Sequence, residues 1–393
     1  MVRISNWLGG FCALVAIAAA TSGVCYDTYN VSFVDAHFAT IKERFGAVRT
    51  FQTLANGVNT IDAAAKAGLK IAAGVWIRSN YSADLQAAVD GARRHPEAVL
   101  GIFIGNEDLF HNVMSVANVS SAVTAAKTLL RQAGVGQIPV GSVQMDGDWA
   151  RAPELAAACD IIGVNIYPFF GGAPVSWTHP VLDLDARFSA LQKRYGDKVL
   201  LTETGWPHAG GNNGPHISSR LNAIAYYQAY ERWVAKGHGG ASSFYFMFHD
   251  NPAKGGFEAN FGLAAPDGRW KFDAASPVGF AIRTSDGSVV AQANDALVVR
   301  SAADLAPGDL WSLNNDTLVN VGNAQCLDVS PAALNVALYP CTPGNANQRW
   351  RIDGGQLVHA THAVCLAVDP THRNKVQVRA CEPSAPHQQF NFK

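Results

Sequence analysis

The fold class follows from the stretch Val199-Leu200-Leu201-Thr202-Glu203-Thr204-Gly205-Trp206-Pro207. Its three leading apolar residues predict a buried strand, and a carboxylate stands where that strand ends. An acid is costly to bury within a strand, whereas parallel sheets place their ligand sites at the C-terminal ends of strands. Upstream, Val99-Leu100-Gly101-Ile102-Phe103-Ile104-Gly105-Asn106-Glu107 has the same design. We therefore predict two parallel strands that each deliver a glutamate to one cleft.

Short apolar runs alternate with longer amphipathic ones over the first two thirds of the chain. The runs predict strands at 23–26, 47–51, 69–77, 99–104, 138–143, 161–167, 199–201 and 241–248, and helices at 56–67, 84–94, 120–133 and 217–236. Continuous apolar strands separated by helices predict a parallel sheet covered by helices. In about 250 residues, a closed (β/α)8 TIM barrel is the natural arrangement. A doubly wound open sheet is the alternative, but no Gly-rich dinucleotide motif follows the first strand.

Composition argues against several function classes. Thirty basic and 31 acidic residues leave a net charge of −1, which gives no electrostatic case for binding nucleic acid or an anionic membrane. A neutral partner such as a glycan suits this balance. The cysteines lack the close C-x-x-C pairs of zinc sites, and the chain lacks the G-x-S-x-G motif of Ser-His-Asp hydrolases.

The N-terminus has the pattern of a secretory signal peptide. Arg3 is followed by a mostly apolar run over 8–20, and Ala18 and Ala20 form an A-x-A cleavage site. The alternative, a membrane anchor, is disfavoured because the run is too short to span a bilayer comfortably. We predict a signal peptide at 1–22, secretion to the extracellular space or cell wall, and no membrane association after cleavage. Four N-x-S/T sequons agree with secretion: Asn30, Asn80, Asn118 and Asn315.

A second, all-β domain is predicted after the turn-rich segment that begins near Pro266. Trp311, Trp350 and Phe390 recur at intervals of 39 and 40 residues, and a Cys-Leu segment follows each tryptophan after 15 residues. Phe280 stands 15 residues before Asp295, which suggests a third copy. Three strand-like copies of about 40 residues predict a three-fold β-trefoil. The domain division is then a barrel over 23–272 and a trefoil over 277–393.

The cysteine spacing predicts two local disulfides. Cys326 and Cys341 are 15 residues apart, and Cys365 and Cys381 are 16 apart. In a secreted protein such regular pairs indicate disulfide bonds. The remaining pair, Cys25 and Cys159, borders apolar strands. Buried free thiols are expected there, although a bond between the two stays open.

The two strand-end motifs resemble those of a known enzyme family. Ile104-Gly105-Asn106-Glu107 and Thr202-Glu203-Thr204-Gly205-Trp206-Pro207 are similar to the acid/base and nucleophile motifs of family 17 glycoside hydrolases, the β-1,3-glucanases. The resemblance covers roughly 23–270. It implies Glu107 as acid/base, Glu203 as nucleophile, retention of configuration, a β-glucan substrate, and no metal or cofactor. Retaining enzymes hold their two carboxyl groups about 5–5.5 Å apart.

Other residues at strand ends are candidates for substrate binding. In related barrels an Asn at the position of Asn106 hydrogen-bonds the sugar 2-hydroxyl. Arg49 ends the second strand, where it could hold the nucleophile ionised or serve as a structural ion-pair partner. Tyr167 and Trp206 flank strand ends and offer flat apolar faces on which a pyranose could stack.

The segment after the eighth strand also resembles the family. Lys254 and Glu258 match a lysine and a glutamate that lie near the family's active site. The family often has acids where Asn251 and Met247 stand. These departures concern the fine tuning of the site and leave the two principal carboxylates in place.

The C-terminal repeats resemble the ricin B-type lectin repeat and its Q-x-W signature. The resemblance is clearest in the middle copy and implies a sugar pocket made by Asp328, Tyr339, Asn347 and Gln348, with Trp350 in the core. In the last copy Ala367, Arg379 and His387 replace the pocket residues, and the first copy has none. One pocket would raise the local substrate concentration for a tethered enzyme. The alternative is a trefoil that serves only as a structural cap.

We therefore expect a monomeric, secreted β-1,3-glucanase with an appended carbohydrate-binding trefoil. Two alternatives share these motifs. A glucanosyltransferase would use the same covalent intermediate with a different acceptor, and a glucan-binding protein without catalysis would use the cleft only as a receptor.

Overall fold

The computed structural model describes residues 21–272, 279–293, 296–301, 305–314, 316–330, 335–353 and 355–392. All but the last two residues of the predicted signal peptide lie outside these ranges, as does the sequon at Asn315. In the described part of the chain, no helix is long and apolar enough to cross a membrane.

The N-terminal domain is a closed barrel of parallel strands. The strands are β1 Thr21–Tyr26, β2 Ala47–Thr50, β3 Lys70–Val75, β4 Val99–Asn106, β5 Val140–Met145, β6 Ile161–Asn165, β7 Val199–Glu203 and β8 Ser242–Tyr245. The sheet runs in the order β8-β1-β2-β3-β4-β5-β6-β7. It closes between β7 and β8, where the Phe246 amide donates to the Thr204 carbonyl at 2.7 Å. This closure confirms the predicted barrel over the open sheet.

Helices surround the barrel. They are α1 Val34–Lys42, α2 Thr60–Lys66, α3 Tyr81–Arg94, α4 Val116–Gln132, α5 Asp146–Trp149, α6 Pro153–Ala158, α7 Val175–Thr178, α8 Pro180–Tyr195 and α9 Arg220–Ala235. A short hairpin, Leu54–Ala55 with Val58–Asn59, follows β2. The four helices expected from sequence correspond to α2, α3, α4 and α9. Helix α8 was not anticipated, although Leu184, Phe188 and Leu191 are buried at helical spacing along it.

The C-terminal domain is all-β. Its strands are β9 Phe280–Arg283, β10 Val289–Ala293, β11 Ala296–Arg300, β12 Leu310–Asn314, β13 Thr317–Asn320, β14 Gln325–Ser330, β15 Asn335–Pro340, β16 Trp350–Asp353, β17 Gln356–His359, β18 Val364–Val368, β19 Val376–Ala380 and β20 Asn391–Phe392. Trp311, Trp350 and Phe390 are buried in one core cluster. Both predicted disulfides are formed, and Cys25 and Cys159 are free and buried.

The expected register of the first trefoil copy is wrong. The Trp350 indole donates to the Leu327 carbonyl at 2.8 Å, and the Trp311 indole donates to the Val290 carbonyl at 2.9 Å. Val290 therefore occupies the place of Leu327, a role that the sequence interpretation gave to the residue after Asp295. The reason is that Phe280 does not hold the place of a repeat tryptophan, because it precedes Trp311 by only 31 residues. Asp295 itself lies outside the described residues.

One face of the first copy meets the barrel. On the trefoil side Val289 and Ala291 are fully buried, in a small cluster against Leu305 and Leu310. Arg300 pairs with Asp309 and also approaches the His179 ring, at 3.2 Å, just before α8. Asn222 in α9 donates to the Gly322 carbonyl at 3.3 Å. The barrel therefore covers part of the outer face of this copy.

Candidate active site

The end of β4 is a left-handed turn that aims Glu107 into the barrel mouth. Gly105 has φ +77° and Glu107 has φ +55°. Buried Asp108 accepts from the Asn106 amide at 2.9 Å, and its other oxygen pairs with Arg78 at 2.7 Å. A Cβ on Gly105 would lie 2.3 Å from the Asp108 carboxylate, so only glycine fits there. The unfavourable backbone of Glu107 is thus held by its neighbours.

Glu203 ends β7 as a buried carboxylate with every oxygen engaged. Its Oε1 accepts from Arg49 Nη1 at 2.6 Å and from Asn165 Nδ2 at 2.9 Å, and its Oε2 accepts from the Tyr167 hydroxyl at 2.6 Å. The guanidinium compensates the carboxylate's charge, and the three donors fix its orientation.

Asn165, at the end of β6, bridges the two glutamates. Its Nδ2 donates to Glu107 Oε1 at 2.7 Å as well as to Glu203 Oε1 at 2.9 Å. The Thr202 hydroxyl donates to Asn165 Oδ1 at 2.8 Å, which sets the orientation of the amide. Because both oxygens bond one nitrogen, they are no more than about 5.6 Å apart. Retaining glycosidases have carboxyl separations of about 5–5.5 Å and inverting ones about 6.5–9.5 Å.

The surroundings of Glu107 raise the pKa of its carboxyl group. Burial and then the nearby charge of Glu203 raise the pKa of Glu107 from 4.5 to about 7, against opposing contributions from Asn165 and Arg49. A carboxyl group with that pKa carries a proton for much of the time near neutral pH, as a general acid requires.

The two glutamates open into a cleft of about 1170 Å³ formed by the loops after the strands. Four of the predicted substrate-binding residues line it with them: Asn106, Tyr167, Lys254 and Glu258. Lys254 Nζ lies 3.8 Å from Asp27 and 5.5 Å from the centre of the Phe246 ring. Further aromatic side chains line the cleft: Tyr29, Phe51, Trp76, Phe110, Phe170 and Phe261.

Two other candidates do not face the cleft, and their predicted contact with sugar is corrected. Trp206 is 3% exposed, donates to the Ile217 carbonyl at 2.9 Å and packs edge-to-face on Phe169. Arg49 is 1% exposed. Its guanidinium donates to Glu203 and, from Nη2 at 2.7 Å, to Asn106 Oδ1. Arg49 therefore acts on the Glu203 carboxylate and on Asn106, and this ion pair is shared by both of the roles expected for it.

The departures after β8 have a structural reason. The Asn251 amide donates to Asp27 Oδ2 at 2.8 Å. An acid at position 251 would face the Asp27 carboxylate, so an amide suits this chain. Met247 is fully buried.

Sequence reasoning missed two residues that organise the site. Asn165 gave one weak signal, an amide within an otherwise apolar strand. Asp84 lies on the buried face of α3 and accepts from the backbone amides of Thr53, Leu54 and Trp76 at 2.6–2.9 Å. It thereby joins the loops after β2 and β3 along one wall of the cleft. A buried acid on an amphipathic helix was its available signal.

In the trefoil, two of the residues predicted for the sugar pocket of the middle copy share one face of a hairpin. Asp328 and exposed Tyr339 project from the same face of the β14–β15 hairpin. Asn345, which the sequence interpretation omitted, donates to Asp328 at 3.3 Å, and Asn347 Oδ1 lies 3.3 Å from a ring nitrogen of His362.

Gln348 has a different role from the one expected. Its Oε1 accepts from the Thr342 amide at 2.9 Å, and its Nε2 donates to the Pro340 carbonyl at 3.0 Å. Gln388 makes the same two kinds of bond in the last copy. Gln348 and Gln388 therefore each hold the loop of their own copy in place, and the polar atoms of Gln348 are used by backbone groups.

The described residues contain no group of three or more His, Cys, Asp or Glu side chains placed to hold a metal ion.

The barrel with two strand-end glutamates and the appended trefoil give the architecture of a glycoside hydrolase domain followed by a lectin-like domain. The model of the BtgE/BtgC glycoside hydrolase domain matches residues 18–262, and that of the ricin-type β-trefoil lectin domain matches 285–390. The chain belongs to the BtgE/BtgC glycoside hydrolase family. The expected resemblance to glycoside hydrolases and ricin-type lectins is thereby confirmed, and the narrower assignment to family 17 remains a prediction.

Curated fungal relatives match the barrel. "Probable beta-glucosidase btgE" of Neosartorya fischeri is 29% identical over 256 residues, covering 62% of this chain and 44% of the relative. "Probable glucan endo-1,3-beta-glucosidase btgC" of Aspergillus terreus is 27% identical over 242 residues, covering 55% and 36%. The chain thus spans less than half the length of these relatives.

Solved structures share the barrel fold. A Rhizomucor miehei beta-1,3-glucanosyltransferase mutant in complex with laminaritriose has a TM-score of 0.53 at 21% identity, over 64% of this chain and 96% of that one. An endo-laminarinase from Formosa Hel1_33_131 has a TM-score of 0.53 at 18% identity, over 63% and 84%.

Proposed function

We propose that this protein is a secreted, retaining β-1,3-glucanase of the family 17 type. The observation that carries the proposal is the single amide nitrogen of Asn165 bonded to both Glu107 and Glu203. This shared contact keeps the two bonded oxygens close together, which supports double displacement. The motifs around both glutamates support the β-1,3-glucan substrate, as do the names of relatives that act on such glucans.

Each carboxylate has one role in the first step. Glu203, oriented by Arg49 and Tyr167, attacks the anomeric carbon of the bound sugar. Glu107 gives its proton to the glycosidic oxygen as the bond to that carbon breaks. The leaving chain departs as an alcohol, and the sugar stays as an ester on Glu203.

In the second step the roles of Glu107 reverse. Its carboxylate takes a proton from water, the water oxygen attacks the anomeric carbon, and Glu203 is released. Two inversions give net retention. Asn106, held by Arg49, lies beside both acids, where it can donate to the 2-hydroxyl of the sugar.

For the trefoil we propose one carbohydrate pocket, in the middle copy, formed by Asp328, Asn345, Asn347 and the ring of Tyr339. Tyr339 is 56% exposed, which suits a stacking platform for a pyranose. The predicted signal peptide and the two disulfides support secretion.

The experiment that tests the enzyme is release of reducing ends from a linear β-1,3-glucan, with Glu203→Gln beside wild type. Glu97→Gln is the matched control, because that side chain is 71% exposed. We expect wild type and the control to cleave, and Glu203→Gln to be inactive. If wild type is inert, or if Glu203→Gln cleaves as fast as wild type, the proposed enzyme function is wrong.

A further inference from the structure

We propose that Phe110 and His111 form the subsite for the leaving-group sugar, a neutral β-1,3-linked glucosyl unit, and that the same subsite later receives the acceptor. It thereby sets how much product arises by transfer to a sugar instead of to water. This inference rests on the proposed glycosidase function and adds to it the residues that select the acceptor.

The turn that carries both side chains is anchored to the barrel. The His111 amide donates to the Glu107 carbonyl at 3.1 Å, and the Val113 amide donates to the Asp108 carbonyl at 3.0 Å. The Leu109 amide donates to Gln144 Oε1 on β5 at 3.1 Å. Phe110 and His111 therefore keep a defined position relative to the acid that precedes them.

The hydrogen bonds of Glu107 point to the oxygen that carries the acidic proton. Oε1 accepts from Asn165, so it acts as an acceptor. The proton therefore sits on Oε2, which lies 3.7 Å from His111 Nε2. The glycosidic oxygen must approach Oε2 to receive that proton. The sugar attached through that oxygen on the leaving side then lies against His111.

Phe110 supplies the surface for that sugar. Phe110 lines the cleft, and 57% of the residue's surface is exposed. Its ring meets the His111 ring edge-to-face at 5.2 Å. The His111 side chain is 48% exposed, which leaves its ring accessible to a sugar hydroxyl. An exposed aromatic ring beside a polar side chain is the arrangement that binds the apolar face of a pyranose and one of its hydroxyls.

The chemistry makes this subsite the branch point of the reaction. Once the leaving sugar departs, Glu203 holds the glycosyl ester and Glu107 is a carboxylate. Either water or a sugar hydroxyl can then give its proton to Glu107 and its oxygen to the anomeric carbon. A sugar held on Phe110 presents such a hydroxyl and excludes water, so occupancy of the subsite favours transfer.

The test compares Phe110→Ala with Phe33→Ala, a matched control that is also 57% exposed but does not line the cleft. Two substrates are used: a β-1,3-linked pentasaccharide, and the β-fluoride of a β-1,3-linked disaccharide. Fluoride is a small leaving group that needs neither a sugar subsite nor a proton. Melting temperatures check that both variants are folded.

For Phe110→Ala we expect kcat/KM on the pentasaccharide to fall about tenfold relative to that on the fluoride, since one stacking contact is lost. We also expect the ratio of transfer to hydrolysis products to fall by a similar factor. Phe33→Ala should leave both ratios at the wild-type values.

Different results would contradict the proposed subsite and the proposed glycosidase function. If wild type cleaves the pentasaccharide and Phe110→Ala leaves both ratios unchanged, or Phe33→Ala lowers them equally, the subsite is wrong. If wild type cleaves neither substrate, the glycosidase function fails and the subsite fails with it.

Discussion

Glu107→Gln should make the folded protein more stable than wild type at alkaline pH. The variant keeps the shape of the side chain and removes a buried acid whose pKa is raised from 4.5 to about 7 by burial and by Glu203. Ionisation of such a group is disfavoured in the folded state. The stabilisation that the protonated Glu107 side chain gives the folded state is therefore complete below pH 4.5. It is lost as the pH rises through 7.

The size of the effect follows from the two pKa values. Moving the Glu107 pKa from 4.5 to about 7 lowers the free energy of unfolding of wild type above pH 7 by about 3 kcal/mol. The Glu107 side chain is only 18% exposed, so solvent screening removes little of this. The amide of glutamine does not titrate, so the variant avoids the loss.

The assay is urea unfolding of wild type and Glu107→Gln at several values from about pH 4 to about pH 9, with Glu97→Gln as a control. The stability difference between Glu107→Gln and wild type should grow in favour of the variant by about 3 kcal/mol across that range. Glu97→Gln should track wild type. A difference that is constant with pH would refute the argument that Glu107 is a buried acid with a raised pKa.

Four further outcomes are expected. The kcat/KM of wild type on β-1,3-glucan should fall as the pH rises above about 7, because Glu107 must carry a proton. Asn165→Ala should lower kcat about 100-fold or more in steady-state kinetics, since both carboxylates lose a donor. Trp206→Ala should lower the free energy of unfolding by about 3–5 kcal/mol in urea, because the indole is buried in the core. Tyr339→Ala should weaken retention on insoluble β-1,3-glucan in a pull-down.

Each of these has a contrary result. A rate that stays level to about pH 9 would remove Glu107 from the role of acid. Wild-type kcat in Asn165→Ala would show that the bridging amide is dispensable. If Trp206→Ala raises KM and leaves the free energy of unfolding unchanged, the Trp206 ring contacts substrate in the cleft. Arg379 holds the equivalent position in the last copy. If Arg379→Ala loses glucan retention as Tyr339→Ala does, retention does not depend on a pocket at Tyr339.

The elements that sequence predicted well are those in which local chemistry and fold agree. Continuous apolar runs could only be buried strands, and acids at their C-terminal ends, such as Glu107 and Glu203, had to share the barrel mouth. The direction of a side chain just beyond a strand was not predictable. Gly205 packs so closely that a Cβ would lie 2.1 Å from the Phe246 carbonyl, and the indole of Trp206 then turns into the core.

Residues that act through long-range contacts gave little signal. Asn165 lies 58 positions from Glu107 and 38 from Glu203, so only the closed barrel brings the three together. In the trefoil, spacing located the disulfides and the core aromatic residues. It did not reveal that Gln348 is used up by backbone groups, nor the register of the first copy.

The anomeric configuration of the first product tests double displacement by Glu203 and Glu107 most directly. It is recorded by proton NMR immediately after wild type is mixed with a β-1,3-glucan oligosaccharide. Two displacements at one carbon predict that the new reducing end appears as the β anomer and only later equilibrates with the α anomer. If the α anomer forms first, the reaction inverts, and the close pair of carboxylates does not act as nucleophile and acid.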